Sequence, residues 1–502
     1  MSMPAELIAH GMTLDELLAG IADAPRIGVT GISSDSRKLS RGNLFLACQG
    51  ETSHGLDYAA QAEEAGVAAI AWDSATASAV DVSVPMIPVD GLAGRLGEIA
   101  NRWYGAPSEH VRVTGVTGTN GKTTVAWLVA EALDLLGRKA GYIGTLGTGI
   151  GAVQGSGAMT TPPCIELHGI LADFREQGAE HAAIEVSSHA LEQRRVDGVK
   201  FDSAIFTNLS RDHIDYHGSM DAYFESKAGL FLDFDVRNRI VCMDTGYGVE
   251  LADRCGSSVI TVSTEMDRAP NGRPFVFVRG VVATETGSHI DIKSSWGDAV
   301  IDLQLPGEFN VANAAEVLAV LLCNDVPLDT ACETLGRVTA PPGRMQRVRV
   351  DGDDLLPRVY VDYSHTPASL QAALKALRAH CHGRLWCVFG CGGDRDRGKR
   401  PMMGKVVEQL ADRAVVTSDN PRSEVPEQII ADVLEGMGND VVAIADRAKA
   451  IETALRDAAS DDVVLIAGKG HEDYQVIGTR TLPFSDYGIA RDILLARSGS
   501  AR

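Results

Sequence analysis

The chain has 502 residues, 45% hydrophobic and 23% charged. That suits about three soluble domains of roughly 100–200 residues each and excludes a largely disordered chain. Lys and Arg total 46 against 67 Asp and Glu, a net charge of −21, which excludes a basic footprint for nucleic acid or an anionic membrane but not small anionic ligands held by a few local cations.

Met1 to Asp15 carries Glu6 and no Lys or Arg. It lacks the basic start and apolar core of a secretory signal, so a cytoplasmic location is expected. No uncharged apolar run reaches the length of about 18 residues that a membrane span needs. In the first segment, Gly42–Cys48 reads as a strand and the Ala-rich Tyr58–Ala69 as a helix. This segment ends near Trp103–Pro107. The second opens with the extended run Val111–Val116, a Gly-rich turn and a helical pattern at Val125–Leu136, stopped by Gly137. Ala182–Val186, Ser203–Thr207 and Arg239–Met243 are further apolar runs among helical patterns, which predicts βα units and a mostly parallel sheet. The polar stretch Thr261–Gly297 reads as a β excursion. Val311–Cys323, interrupted by Glu316, reads as a buried helix. Ala340-Pro341-Pro342-Gly343 punctuates the chain as a hinge. Beyond it, Val359–Asp362, Leu385–Phe389, Ala414–Thr417 and Val463–Ala467 read as strands. The expected domains are therefore 1–107, 108–340 and 341–502. The nine cysteines are scattered with no CxxC pair, so reduced thiols are expected rather than zinc or disulfides.

Most polar clusters directly follow a strand. TGTNGKTT follows Val111–Val116, SSHA follows Ala182–Val186, and NLSRDH follows Ser203–Thr207. GCGGDRDRGKR, SDNPR and GKGHED follow three strands of the last segment. Ligands of open α/β sheets bind beyond the carboxyl ends of strands, so an active site is expected between the second and third segments. Gly115–Thr124 (GVTGTNGKTT) would aim backbone N–H groups at phosphates, with Lys122 on the β/γ-phosphates and the Thr123 hydroxyl on Mg²⁺. The strict GxxxxGK[ST] spacing is not met, because position 116 is Val. That departure argues against an average P-loop GTPase or kinase.

TGTNGKTT resembles the ATP-binding signature of the Mur ligase family, which is similar in layout to folylpolyglutamate synthetases. The same family's order is followed by DSR (Asp35–Arg37), TTP (Thr160–Pro162), EVSSHAL (Glu185–Leu191), TNLSRDHIDYHG (Thr207–Gly218) and Lys227 of FESK. It continues through GEFNVANAAE (Gly307–Glu316), PPGRMQ (Pro341–Gln346), VDYSHTP (Val361–Pro367), FGCGGDRDRGKRP (Phe389–Pro401), SDNPRSE (Ser418–Glu424) and GKGHEDYQ (Gly468–Gln475). The combination spans nearly the whole chain. It implies a smaller N-terminal α/β domain, a central P-loop-type domain with a mostly parallel sheet, and a C-terminal Rossmann-like α/β domain. It also implies ATP-dependent amide bond formation through an acyl phosphate, a reaction that needs charge neutralisation and alignment rather than a protein nucleophile.

The resemblance assigns residues to roles. Gly118, Thr119, Asn120, Gly121, Lys122, Thr123, Thr124, Asn310 and Asp362 would bind ATP, with Arg344 at the hinge and Lys399 and His365 near the cleft. Thr123, Glu185, His213 and Lys227 would hold Mg²⁺. Lys227 would be carboxylated by CO₂, which requires a neutral amine with a pKa lowered by burial or nearby cations. Without the family, His213 reads as a core histidine and Lys227 as a solvated helical lysine.

Ser34, Ser36, Glu51, Thr52 and Ser53 would take the UDP end of UDP-N-acetylmuramoyl-L-alanyl-D-glutamate. Thr160, Thr161, Ser187, Gln193 and Arg195 would take its muramoyl-peptide part. Met159 departs from the pattern, since Asn is common there. Asp419, Asn420, Pro421 and Arg422 form DNPR, the family's pattern for meso-diaminopimelate, with Arg395, Gly468 and Glu472 completing the contacts. Arg422 suits the distal carboxylate and Glu472 an ammonium; lysine lacks that carboxylate. A monomer is expected. The alternatives are a lysine- or glutamate-adding relative and a P-loop regulatory module.

Overall fold

Asn43–Ala47 (NLFLA) shows why the first segment forms a layered sheet. Leu44 and Leu46 enter one core and Phe45 and Ala47 another, so the strand is apolar on both faces, as a covered parallel sheet requires. The computed structural model describes residues 11–50, 53–154, 159–265, 272–351, 355–438 and 441–500. Glu51 and Thr52 lie outside these residues. The chain divides into two compact units. One comprises Met1–Lys122, Leu136–Ile240 and Glu250–Ser258; the other comprises Thr123–Leu135, Val241–Val249 and Val259–Arg502.

The first unit begins with a parallel sheet in the order Gly31–Ser33, Asn43–Ala47, Ala69–Asp73, Met86–Val89. Helix Leu96–Trp103 buries Ile99, Ala100 and Trp103 against it. The helix expected over Tyr58–Ala69 is shorter and spans Ala59–Glu64 after a 3₁₀ turn. Gly66 in the left-handed region (φ 74°) ends it, and Ala69 already opens a fully buried strand. A second sheet of this unit runs Phe201–Phe206, Arg112–Thr117, His181–Glu185, Ala140–Gly144, all parallel, with Gly147–Ile150 antiparallel at its edge.

In the second unit the β excursion has four strands. Ile260–Ser263 pairs parallel with Phe275–Ala283, and Ser288–Ser294 and Gly297–Leu303 follow antiparallel. Helix Glu308–Cys323 is buried along most of its length, and Glu316 within it is only 1% exposed. Burial, followed by the nearby Asp244 charge, pushes the Glu316 carboxyl well above the usual carboxylate range. The last sheet runs Gln346–Val348, Arg358–Asp362, Val463–Ala467, Leu385–Phe389, Arg413–Thr417, Val442–Ile444. Its first pair is antiparallel and the others are parallel. Alternate residues of its strands feed two cores: Tyr360, Leu465 and Cys387 one, Val361, Val464 and Val388 the other.

Arg447 and Asp486 form an ion pair with both side chains fully buried, Nη2 to Oδ2 at 2.7 Å. Arg447 also donates to the carbonyls of Ser418 (3.2 Å) and Ala467 (3.0 Å). It thereby ties together the carboxyl ends of strands Arg413–Thr417 and Val463–Ala467. Asp486→Ala leaves a buried guanidinium uncompensated and is expected to cost about 3–5 kcal/mol of stability, read by denaturant unfolding. An unchanged midpoint would contradict this. All nine cysteines are free thiols. Among the described residues no helix is long and apolar enough to cross a membrane.

Candidate active site

The loop after strand Arg112–Thr117 is closed by its own backbone. Gly118 has φ 148°, and a Cβ there would stand 2.0 Å from Thr207 Oγ1. Only glycine lets the loop lie this close to the next strand end. Thr119 N donates to Asn208 O (2.9 Å), Asn120 N to Asn208 Oδ1 (3.0 Å), and Thr207 Oγ1 to Asn120 O (2.6 Å). Thr119 Oγ1 accepts from Ser210 N at 3.0 Å and lies 3.2 Å from the Tyr223 hydroxyl. Gly121 is also left-handed, φ 88°. Lys122 Nζ folds back onto Gly118 O and Thr119 O, both at 2.9 Å. It starts helix Lys122–Leu135, where Thr123 is 7% exposed and Thr124 half-buried.

Lys227 lies on helix Met220–Leu232 and is 1% exposed. Its Nζ donates to Gly118 O at 2.8 Å and sits 4.6 Å from the Tyr223 ring centroid. Burial, followed by the Lys122 charge, holds its amine well below the usual lysine range, with Asp212 opposing. The solvated-lysine alternative does not hold. Glu185, at the end of strand His181–Glu185, is also 1% exposed. Its Oε1 accepts from the Tyr142 hydroxyl and from Thr145 N (2.9 Å), and Oε2 from Thr145 Oγ1 (3.3 Å).

His213 occupies the left-handed region at φ 51°, an uncommon position for a non-glycine residue. Its N–H donates to Asp212 Oδ1 at 2.9 Å. The His189 ring lies 5.0 Å from it, and His189 also stands 4.1 Å from Tyr216 and 5.4 Å from His217. His213 is half exposed and is not a core histidine. Among the described residues no three His, Cys, Asp or Glu side chains form a metal-binding group.

The residues expected to take the muramoyl-peptide gather around Thr161, which is fully buried. Thr161 Oγ1 donates to Glu185 O (2.7 Å) and accepts from Ser187 N (3.1 Å). Ser187 caps helix Ser188–Glu192. Arg195 donates to Thr161 O (3.0 Å) and to Gln193 Oε1 (3.0 Å). Thr160 Oγ1 accepts from Thr145 Oγ1 at 3.3 Å, and Met159 beside it is exposed. In the N-terminal part, Ser34 is exposed and Ser36 half-buried, flanking Asp35, which caps a 3₁₀ turn. Ser53 Oγ lies 3.4 Å from the Tyr58 hydroxyl.

In the second unit Asn310 is 2% exposed, donating to Pro306 O (2.8 Å) and accepting from Asn313 (3.0 Å). The Asp362 carboxylate accepts from Met345 N (2.7 Å), Ser364 N (2.9 Å) and the Ser364 hydroxyl. It thus pins the backbone beside Arg344, whose guanidinium lies 4.9 Å from the Tyr363 ring centroid. Lys399 Nζ donates to His365 O at 2.9 Å.

DNPR and GKGHE meet at the ends of strands Arg413–Thr417 and Val463–Ala467. Gly468 has φ 118°, and a Cβ there would lie 2.6 Å from Asp419 Oδ2. Burial raises the Asp419 carboxyl, with Arg447 and Lys469 opposing. Asn420 Nδ2 donates to Glu472 Oε2 at 2.8 Å. Arg422 (φ 51°) donates from Nη1 to Gly393 O at 2.8 Å. Arg395 is exposed, yet a Cβ on Gly392 would lie 3.0 Å from Arg422 Nη1 and 3.7 Å from Arg395 Cγ, so one glycine adjoins both arginines. Sequence reasoning missed Lys469, Tyr142, His189, Tyr363 and Arg447. Lys469, His189 and Tyr363 stand in plain view within GKGHED, EVSSHAL and VDYSHTP; Tyr142 and Arg447 carry no local signal.

Comparison with known proteins places the chain in a family. Residues 28–104 match the model described as Mur ligase family, catalytic domain; residues 116–321 match the Mur ligase middle domain; residues 343–470 match the Mur ligase glutamate ligase domain. The chain belongs to the Mur ligase family. A Mur ligase of Pseudomonas putida, UDP-N-acetylmuramoyl-L-alanyl-D-glutamate--2,6-diaminopimelate ligase, is 44% identical over 97% of this chain and 98% of its own. The Coxiella burnetii protein of the same name is 42% identical over 93% of this chain and 96% of its own. A solved structure of an enzyme with that name superposes with a TM-score of 0.73 at 31% identity, covering 97% of this chain and 99% of that one. The Mur ligase fold, three α/β domains with parallel sheet cores, is shared more widely. MurF of Thermotoga maritima in complex with ADP reaches a TM-score of 0.59 at 17% identity, covering 94% of this chain and 98% of its own.

Proposed function

We propose that this Mur ligase adds meso-diaminopimelate to the D-glutamate γ-carboxylate of UDP-N-acetylmuramoyl-L-alanyl-D-glutamate, consuming ATP, as a cytoplasmic step of peptidoglycan synthesis. The observation that carries the reading is that Arg422 and Glu472 both contact Asn420, in loops that leave the two strands flanking Leu385–Phe389. A guanidinium and a carboxylate there match the distal carboxylate and ammonium of diaminopimelate; lysine would leave the Arg422 charge without an anionic partner. The relatives' names point the same way.

In the reaction, a γ-carboxylate oxygen attacks the γ-phosphorus of ATP, and ADP leaves. The amine nitrogen then attacks the acyl phosphate carbon, loses a proton, and inorganic phosphate departs. The loop from Gly118 to Lys122 offers N–H groups and one ammonium to phosphate oxygens. Thr123 is the next residue along the chain. Arg344 adds a cation, and Asp362 and Asn310 are assigned to the nucleotide. Thr161, Ser187, Gln193 and Arg195 orient the peptide whose carboxylate is activated; Ser34, Ser36 and Ser53 serve its UDP end, for which Glu51 and Thr52 are also proposed.

Thr123, Glu185, His213 and a carboxylated Lys227 would supply a donor set rich in oxygen, which suits Mg²⁺. The buried Lys227 amine, held toward its neutral form, fits CO₂ capture. When bound, Mg²⁺ supplies charge neutralisation on the phosphates. The domain limits 1–107, 108–340 and 341–502 belong to the same proposal. The test is phosphate release from ATP by the purified chain. Release is expected only when both the UDP-muramoyl dipeptide and diaminopimelate are present. Release with neither would overturn the reading in favour of a nucleotide-hydrolysing module.

A further inference from the structure

We propose that Lys469 is a positioning residue for the incoming amino acid, fixing Glu472 and Asn420 in the arrangement that receives its distal end. The proposal rests on the reading of function above. Lys469 is fully buried, and nothing in the relatives' names or the family's motif roles assigns it a task. Its Nζ donates to Glu472 Oε2 at 2.8 Å and to Asn420 Oδ1 at 3.1 Å, and lies 5.5 Å from the Tyr474 ring centroid.

These bonds close a triangle, because Asn420 Nδ2 donates to the same Glu472 Oε2 at 2.8 Å. Asn420 Oδ1 also accepts from Val476 N at 2.9 Å. With two donors on its oxygen, the amide has one orientation, and its NH₂ faces Glu472. Among the described residues, the hydrogen bonds to the Glu472 carboxylate all fall on Oε2. Oε1 is thereby the oxygen offered to a substrate ammonium.

Lys469 also balances the Glu472 charge. Without it, the Asn420 amide loses a reason to keep its orientation, and Glu472 loses the stronger of its two anchors. The effect should reach one substrate only, because Lys469 acts through two residues that serve that substrate.

The experiment is steady-state kinetics of the full chain with each of the three substrates varied in turn, for Lys469→Met, Lys469→Arg, Glu472→Gln and the double variant Lys469→Met/Glu472→Gln. Lys469→Met is expected to raise KM for meso-diaminopimelate at least tenfold. KM for ATP and for the UDP-muramoyl dipeptide should stay within twofold. Lys469→Arg should recover part of the loss, and it carries the same test if the Met variant does not fold. The double variant should lose clearly less than the product of the two single losses, as expected of residues that act in part through one another. An unchanged KM for diaminopimelate, equal changes for all three substrates, or losses that multiply in the double variant would overturn the proposal while leaving the function standing. A wild-type chain that makes no product with diaminopimelate would overturn the reading of function, and this proposal with it.

Discussion

Arg422→Ala should lower kcat/KM for meso-diaminopimelate by about 10³-fold, the scale for removing one partner of a desolvated charged hydrogen bond. The position of this guanidinium is strongly determined. Its own N–H donates to Val476 O (3.1 Å), and its carbonyl accepts from Gly478 N (2.7 Å). Those two bonds hold a left-handed backbone (φ 51°) that a non-glycine residue adopts at a cost of about 1–3 kcal/mol. Strain of that kind persists only where the surroundings impose it. The side chain is then fixed on Gly393 O. In the wild type, L-lysine should be used far more poorly than diaminopimelate. Arg422→Ala should bring the two substrates close together, because the distal carboxylate no longer finds its fork. Arg422→Lys keeps the charge but not the bidentate geometry and should recover only part of the preference. Competition kinetics with the two amino acids measure this. Equal use of both by the wild type would sink it.

Lys227→Ala should abolish nearly all turnover, a loss of about 10²–10³-fold or more on the scale of losing one preorganised electrostatic contact. Adding a small carboxylate such as formate should restore part of it, since it replaces the missing oxygen donors. The sign of the pH effect follows from the lowered amine. Burial and the Lys122 charge favour the neutral form, the form that captures CO₂. Falling pH protonates the amine and reverses capture, so wild-type activity should fall on the acid side. The rescued variant draws its carboxylate from the buffer and should lack that dependence on Lys227. ¹³C-labelled bicarbonate, read by NMR, should label the wild type and leave Lys227→Ala unlabelled. Full activity of the variant without added carboxylate would refute the role.

The strands that sequence reasoning placed best are those buried on both faces. Leu385–Phe389 (LWCVF) and Val463–Ala467 (VVLIA) have the same limits in the structure, because an unbroken apolar run ends where a polar loop begins. The sequence pattern misses Gly297–Leu303: its residues largely alternate between exposed and buried, and Gly297 reads as the end of the excursion rather than the start of another strand. The helical pattern over Tyr58–Ala69 runs past the helix itself, because alanine suits both a helix and a close-packed strand. At the candidate site, motif order placed the phosphate loop, Glu185 and the DNPR cluster. It could not place Lys469, because a lysine in a polar loop reads as solvated, and only its complete burial distinguishes it. Tyr142 lies within strand Ala140–Gly144, and its hydrogen bond to Glu185 comes from sheet pairing between segments about forty residues apart.

The Arg447–Asp486 pair also limits how this chain can vary. Asp486 opens the last helix, Asp486–Ser500, beyond the residues matched by the glutamate ligase domain model. A single substitution at either position passes through an uncompensated buried charge, so the two cannot drift separately. A joint exchange for apolar residues of similar volume could keep the core stable. It would still release the Ser418 and Ala467 carbonyls, from which the DNPR and GKGHE loops depart. The last helix is therefore under the same inheritance as the loops that it braces, although the motifs of those loops end well before it.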